Sequence, residues 1–233
     1  MLELSDVHTY YGESHVLKGV SLTVGDGEVV GLVGRNGAGK TTTLRSITGT
    51  QPPRNGTIRF EGDDITATDV AATSRLGIRI ALEDRRPFPD LTVRENLKLS
   101  KDTTYGTDWT FDRVLDVLPR LEERLDQQAT HLSGGEQQML VIAQALLGNP
   151  KLIMLDEPME GLAPQIVERI VDLIAEIKKA GIPILLVEQN FETCLELMDR
   201  GYLIHKGEIK FSGSKAEFED IPEEVERYLG VKV

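Results

Sequence analysis

Eight consecutive residues, Gly34-Arg35-Asn36-Gly37-Ala38-Gly39-Lys40-Thr41, carry the spacing G-x-x-x-x-G-K-T of a phosphate-binding loop. Glycine lets backbone N–H groups turn inward around phosphate oxygens without a Cβ in the way. Lys40 offers a cation for the terminal phosphates, and the Thr41 hydroxyl a ligand for Mg²⁺. Thr42, next along, is counted with the loop as a nucleotide contact. Further on, Leu152-Ile153-Met154-Leu155 runs directly into Asp156-Glu157. A carboxylate at the C-terminal end of a buried parallel strand stands where α/β sheets place ligand chemistry. Asp156 suits Mg²⁺ held through its water shell, and Glu157 suits a base that polarises water against a γ-phosphate. A third stretch, Leu132-Ser133-Gly134-Gly135-Glu136-Gln137, reads as a helix start: Ser133 caps, Glu136 stands three residues on, and two glycines leave amides bare for an anion.

These groups need elements to hold them. Val29-Val30-Gly31-Leu32-Val33 reads as a buried strand before the loop, and residues 41–47 as a helix stopped by Gly49. Val20-Ser21-Leu22-Thr23-Val24 alternates with period two. Asn55-Gly56 signals a hairpin turn ahead of a strand over 57–60, and 77–82 is a further strand. From Arg85 to Thr130 the pattern is mainly helical. Thr92 and Glu95 form a capping box, Phe111, Val114, Leu115 and Leu118 share a helical face, and Pro119 interrupts. A helix over 134–147 leads to the strand at 152–155. Pro164 opens a helix that Gly181 ends, and a strand over 184–187 follows. This strand–helix–strand rhythm implies a parallel sheet. Lys206-Gly207 turns a late hairpin, and Ser214 with Glu217 caps a last acidic helix.

The 233 residues suffice for one large α/β domain, with 40% hydrophobic and 27% charged residues. A net charge of −12 argues against a sequence-independent grip on nucleic acid. Cys194 is the single cysteine, so no intrachain disulfide forms. The opening Met1-Leu2-Glu3-Leu4-Ser5-Asp6 lacks the basic and apolar regions of a signal peptide, and no run reaches the roughly 20 apolar residues of a membrane span. Work at a membrane would borrow the span from a partner. The four histidines show no metal-ligand spacing.

The Leu132–Gln137 stretch upstream of Asp156-Glu157, together with the phosphate loop, resembles the signature set of ATP-binding cassette (ABC) ATPases. The resemblance covers nearly the whole chain. It implies a P-loop NTPase fold of the ABC ATPase type, α/β, with a mostly parallel core sheet, an antiparallel β region and a helical insertion. It further implies one domain over 1–233 whose helical subdomain spans about 84–147. In that family two domains pair head to tail, each ATP lying between one subunit's loop and the other's signature helix. By resemblance, Ser133 and Gly135 contact the partner's γ-phosphate, and Tyr11 in Tyr10-Tyr11-Gly12 stacks on adenine.

A narrower pattern looks like the LivF-type ATPase of branched-chain amino acid importers, which pairs with a LivG-type ATPase. Its residues are Glu83, Arg85-Arg86, Phe88, Leu91 through Leu97, Gly161 to Pro164, and Leu186-Val187-Glu188-Gln189-Asn190. The resemblance implies ATP and Mg²⁺ as ligands, an integral-membrane permease and an extracytoplasmic solute-binding protein as partners, and a peripheral place on the cytoplasmic face of the membrane. Phe88 and Leu91 are candidate permease contacts, or else pack inside the helical lobe. Urea and amide importers share much of the pattern. A soluble single-cassette ATPase acting in assembly, and a non-hydrolytic nucleotide-binding module, are the remaining alternatives. Glu83 stands where most of the family places a glutamine near Mg²⁺, and Gln189 where it places a histidine. Met159-Glu160 and Gln144 also depart from the pattern and are read as neutral variation.

Overall fold

In the computed structural model, residues 1–82, 86–100, 108–220 and 227–228 are described. The chain divides into two compact units, Met1–Leu76 with Pro183–Val233, and Gly77–Ile182.

The first unit opens with β1 (Leu2–Tyr11) and β2 (Ser14–Val24), an antiparallel pair. Strand β3 (Val29–Val33) follows, then α1 (Lys40–Ile47), β4 (Asn55–Phe60), the short β5 (Asp63–Asp64) and α2 (Val70–Arg75). Strands β2, β1, β4 and β5 pair antiparallel in that order. In β1 and β2 apolar residues such as Leu2, Leu4, Leu22 and Val24 face inward and polar ones outward, as a half-covered sheet requires.

The second unit begins with β6 (Ile78–Ala81) and continues through α3 (Val93–Leu99), α4 (Phe111–Val117), α5 (Pro119–Glu122) and a 3-10 turn (Ala129–His131). Helix α6 (Gly134–Leu147), strand β7 (Leu152–Asp156) and helix α7 (Pro164–Lys179) complete it. Strands β6 and β7 run parallel, with Ala81 beside Leu155. The expected helix over 134–147 is present with those bounds, and Pro119 both ends α4 and starts α5.

The chain then returns to the first unit through β8 (Ile184–Glu188), α8 (Phe191–Leu197), β9 (Arg200–His205), β10 (Glu208–Ser214) and α9 (Lys215–Glu219). Strand β3 lies parallel to both β8 and β9, and β10 closes antiparallel on β9. Every residue of β3, β7 and β8 is buried, which is why each reads as an unbroken apolar run rather than an alternation. Helix α8 packs so closely on β3 that a Cβ at Gly31 would lie 2.6 Å from Cys194 Sγ. Burial drives the Cys194 thiol pKa well above its ordinary value, with the Glu188 charge adding to the shift. The thiol is therefore no nucleophile at neutral pH.

One expectation is corrected. Asn55-Gly56 does not turn a hairpin; it is the first part of β4, paired with β1 through an irregular register between Ser5 and His8. Gly56 has φ +88° because Asp6, itself at φ 50°, crowds it, and a Cβ there would stand 2.2 Å from the Asp6 carbonyl. The glycine serves a bulge, where backbone approaches backbone.

Candidate nucleotide site

The phosphate loop leaves β3 at Gly34 and enters α1 at Lys40. Gly37 and Gly39 take φ values of 78° and 118°, so only glycine suits the turn. Gly39 is also pressed by Leu17, whose Cδ2 would lie 2.8 Å from an added Cβ. Behind the loop, the Gly207 amide donates to the Ala38 carbonyl at 2.8 Å, so the β9–β10 turn braces it. The side toward solvent shows Arg35, Asn36 and Gly37 exposed, the stretch whose amides suit an anion.

Lys40 is 3% exposed, and its Nζ donates to the carbonyls of Gly34 at 2.7 Å and Arg35 at 3.2 Å. The ammonium therefore lies along the inner curve of the loop. Thr41 and Thr42 occupy the first turn of α1, Thr42 buried and Thr41 half-buried. The α1 N-terminus adds its own attraction for anions.

Gln189 belongs to the same unit. Val33 pairs with Glu188 in register, and the Gly34 amide donates to the Glu188 carbonyl at 3.4 Å. That places exposed Gln189 one residue beyond the hydrogen-bonded neighbour of the loop's first glycine. Tyr11 ends β1 and is 39% exposed. It shares a unit with the loop, and its ring is open to a stacking partner.

In the second unit, Asp156 closes β7 at 1% exposure and Glu157 follows at 6%, with φ 47°. A left-handed backbone at a non-glycine residue costs strain and is held only where its surroundings fix it. Glu157 borders a cleft of about 480 Å³ that the start of α6 also lines, at Gly134, Gln137 and Gln138. The Gln138 Nε2 is buried there and has no hydrogen-bond partner among the described residues, leaving a donor at the cleft. Arg86 and Pro87 form a further part of the wall.

The α6 cap is the one expected. Ser133 Oγ accepts from the Glu136 amide at 3.3 Å, and the Glu136 carboxylate accepts from the Ser133 amide at 2.8 Å. Burial opposes ionisation of Glu136, but the bonds from Ser133 and the charge of Arg124 outweigh it and hold the pKa below the usual value. Gly135 lies against α7, where an added Cβ would meet Ile166 Cγ2 at 2.6 Å. Ser133 and Gly134 stay exposed, a bare helix start presented outward.

Glu83 lies outside the described residues. The remaining candidates fall into two groups. The loop, Tyr11 and Gln189 gather in the first unit; Asp156, Glu157, Ser133 and Gly135 gather in the second.

Sequence reading missed a buried polar pair in the second unit. Asn96 is fully buried in α3, and Gln144, read above as neutral variation, is buried in α6 and donates to it. A polar side chain on the inward face of an amphipathic helix was the available signal.

Residues 17–160 match the sequence family model described as ABC transporter. The high-affinity branched-chain amino acid transport ATP-binding protein BraG of Pseudomonas aeruginosa is 41% identical over 232 residues, covering 99% of this chain and 100% of that protein. The ADP conformation of an ATP-binding cassette of an ABC transporter superposes with a TM-score of 0.84 at 30% identity, covering 99% of each chain. A dimeric post-hydrolysis state of another cassette, bound to ADP and Pi, gives 0.81 at 26% identity over 92% of this chain and 99% of that one. The phosphate loop, the capped glycine pair and the strand-end carboxylates thus stand in a chain of matching sequence and fold, and this chain belongs to the ABC transporter family as one of its nucleotide-binding ATPases.

Proposed function

We propose that this chain is the ATP-hydrolysing subunit that energises an importer of branched-chain amino acids. The observation that carries this reading is 41% identity to BraG along the full length of both proteins. The working unit is one cassette over residues 1–233, bound at the cytoplasmic face of the membrane to a permease that an extracytoplasmic solute-binding protein supplies. It pairs head to tail with a LivG-like ATPase or with a second copy of itself. The family's dimeric, ADP- and Pi-bound cassette supports the pairing. No described helix is long and apolar enough to cross a membrane, so the translocation path is assigned to the permease.

The residues take these roles. Backbone amides from Gly34, Arg35, Asn36, Gly37, Ala38 and Gly39 hold the phosphate chain, while Lys40 and Thr42 bind its oxygens. Tyr11 stacks on adenine. Thr41, Asp156 and Glu83 are the residues assigned to Mg²⁺ by resemblance, and each would serve it as an oxygen donor; a hydroxyl and a buried strand-end carboxylate are the hard donors that ion takes. Bound Mg²⁺ neutralises charge on the phosphates. Glu157, strained and recessed at the cleft, takes the proton of the attacking water. Gln189 donates its amide to a γ-phosphate oxygen but carries no positive charge. Ser133 and Gly135 complete the partner's ATP site, so closing of the dimer gates hydrolysis.

The test is reconstitution in vesicles with its permease and binding protein. ATP-dependent uptake of labelled leucine, isoleucine or valine is expected. Uptake of urea or a short amide instead would move the chain to the related importers. Turnover without any membrane partner in the native cell would favour the assembly ATPase.

A further inference from the structure

Within the first unit, the phosphate loop opens α1 while Tyr11 ends β1. The two ends of the nucleotide site thus belong to different elements, and something must set the distance between them. Three side-chain ties meet the end of β1 at successive points.

The first is buried. Ser46 Oγ donates to the Thr42 carbonyl at 2.9 Å, which uses its only proton, so Thr9 Oγ1 donates to Ser46 at 2.8 Å. Thr9 is 0% exposed and Ser46 1%, so water does not compete for this bond. The second tie is Gln51. Its backbone amide donates to the Arg45 carbonyl in α1 at 3.0 Å, and its Nε2 donates to the Tyr10 carbonyl at 2.6 Å. One residue therefore bridges the phosphate helix and the residue before Tyr11. The third tie is Arg54. Its amide donates to the His8 carbonyl at 2.8 Å, and its guanidinium donates to the carbonyl of Gly12, the residue after Tyr11. That guanidinium also lies 4.5 Å from the centroid of the Tyr10 ring, on which His15 stacks at 4.1 Å. The main chain is held on both sides of Tyr11, and on the Tyr10 side the hold leads back to α1.

We propose that Gln51 and Arg54 are positioning residues for the base end of the nucleotide site. With the Thr9–Ser46 bond they set the Tyr11 ring at the reach of a nucleoside triphosphate from the phosphate loop. This rests on the reading above that Tyr11 stacks on adenine. Gln51 and Arg54 act through the carbonyls of Tyr10 and Gly12 rather than on the nucleotide. Their loss weakens the hold on the base and leaves the hold on the phosphates as it was.

The experiment measures binding of Mg²⁺-ATP and of Mg²⁺-tripolyphosphate to the full chain by calorimetry. Tripolyphosphate offers the loop its phosphates but carries no base. Gln51→Met removes the donor and nearly keeps the length; it is expected to bind ATP several-fold more weakly and tripolyphosphate as the native chain does. Arg54→Ala, a change at an exposed side chain, is expected to show the same split. In the assembled ATPase pair, KM for ATP should rise while kcat stays native, because the base is held equally in ground and transition states. Equal weakening of both ligands would show that the residue props the phosphate loop, and overturns its positioning role. Native ATP affinity in either variant removes that residue from the role. Tyr11→Ala judges the underlying reading and is expected to weaken ATP by at least about fivefold, with tripolyphosphate unchanged. Native ATP affinity in Tyr11→Ala overturns the stacking and this inference with it. A weakened Tyr11→Ala beside native Gln51→Met and Arg54→Ala overturns the inference alone.

Discussion

The Gly34 amide donates to the Glu188 carbonyl at 3.4 Å, tying the first residue of the phosphate loop to the last residue of β8. Gln189 follows at once, so its position relative to the loop is set by a strand end rather than by a flexible segment. Its amide offers a hydrogen bond where an imidazolium would offer a bond and a charge. Gln189→His is therefore expected to raise the turnover of the assembled ATPase pair several-fold at pH 7, measured by phosphate release. Turnover indistinguishable from native would show that residue 189 does not limit hydrolysis.

Glu157→Gln keeps the volume of the side chain and removes its basicity. A positioned general base contributes about 10²–10⁴-fold, so phosphate release should fall by at least about a hundredfold. ATP binding should persist, and a dimer stable in ATP should appear by size-exclusion chromatography. A variant hydrolysing at the native rate would remove Glu157 from the base role.

Gly34 has no room for a side chain. A Cβ there would stand 2.4 Å from the Ile204 carbonyl oxygen and 2.9 Å from Ile204 Cγ2. Overpacking of this kind costs about 1–3 kcal/mol. For Gly34→Ala this corresponds to a drop in Tm of about 2–12 °C in a chain of this length, with weaker ATP binding because the loop must shift. Calorimetry and nucleotide titration check both, and an unchanged Tm would contradict the close approach.

Glu28 accepts from Arg200 Nε at 3.0 Å and Nη2 at 2.6 Å, and also from the Gly25 amide. Burial pushes its carboxyl pKa up, but these bonds prevail and hold it below the ordinary 4.5. A depressed folded pKa means stability that is present above the unfolded value and lost as pH falls through the folded one. Glu28→Gln should accordingly lower Tm by about 2–4 °C at pH 7, a gap that closes as the pH drops below 4.5. A gap that stays constant with pH would deny the ionised pair its part in stability.

What the sequence determined by itself was local. The phosphate loop needs particular residues at fixed offsets, and its strand and helix flanks followed from a continuous apolar run and a glycine stop. The caps at Thr92, Ser133 and Ser214 close within three residues, so spacing alone reveals them. Tertiary structure decided whatever depends on distant partners. Asn55-Gly56 carries a hairpin signal, yet the approach of Asp6 from another strand turns it into a bulge. Gln144 looked like a neutral replacement because its partner, Asn96, stands 48 residues away. Arg200 finds Glu28 across 172 residues. Local hydrogen-bond geometry is written in neighbouring residues; a buried polar pair is written only in the packing that brings its two halves together.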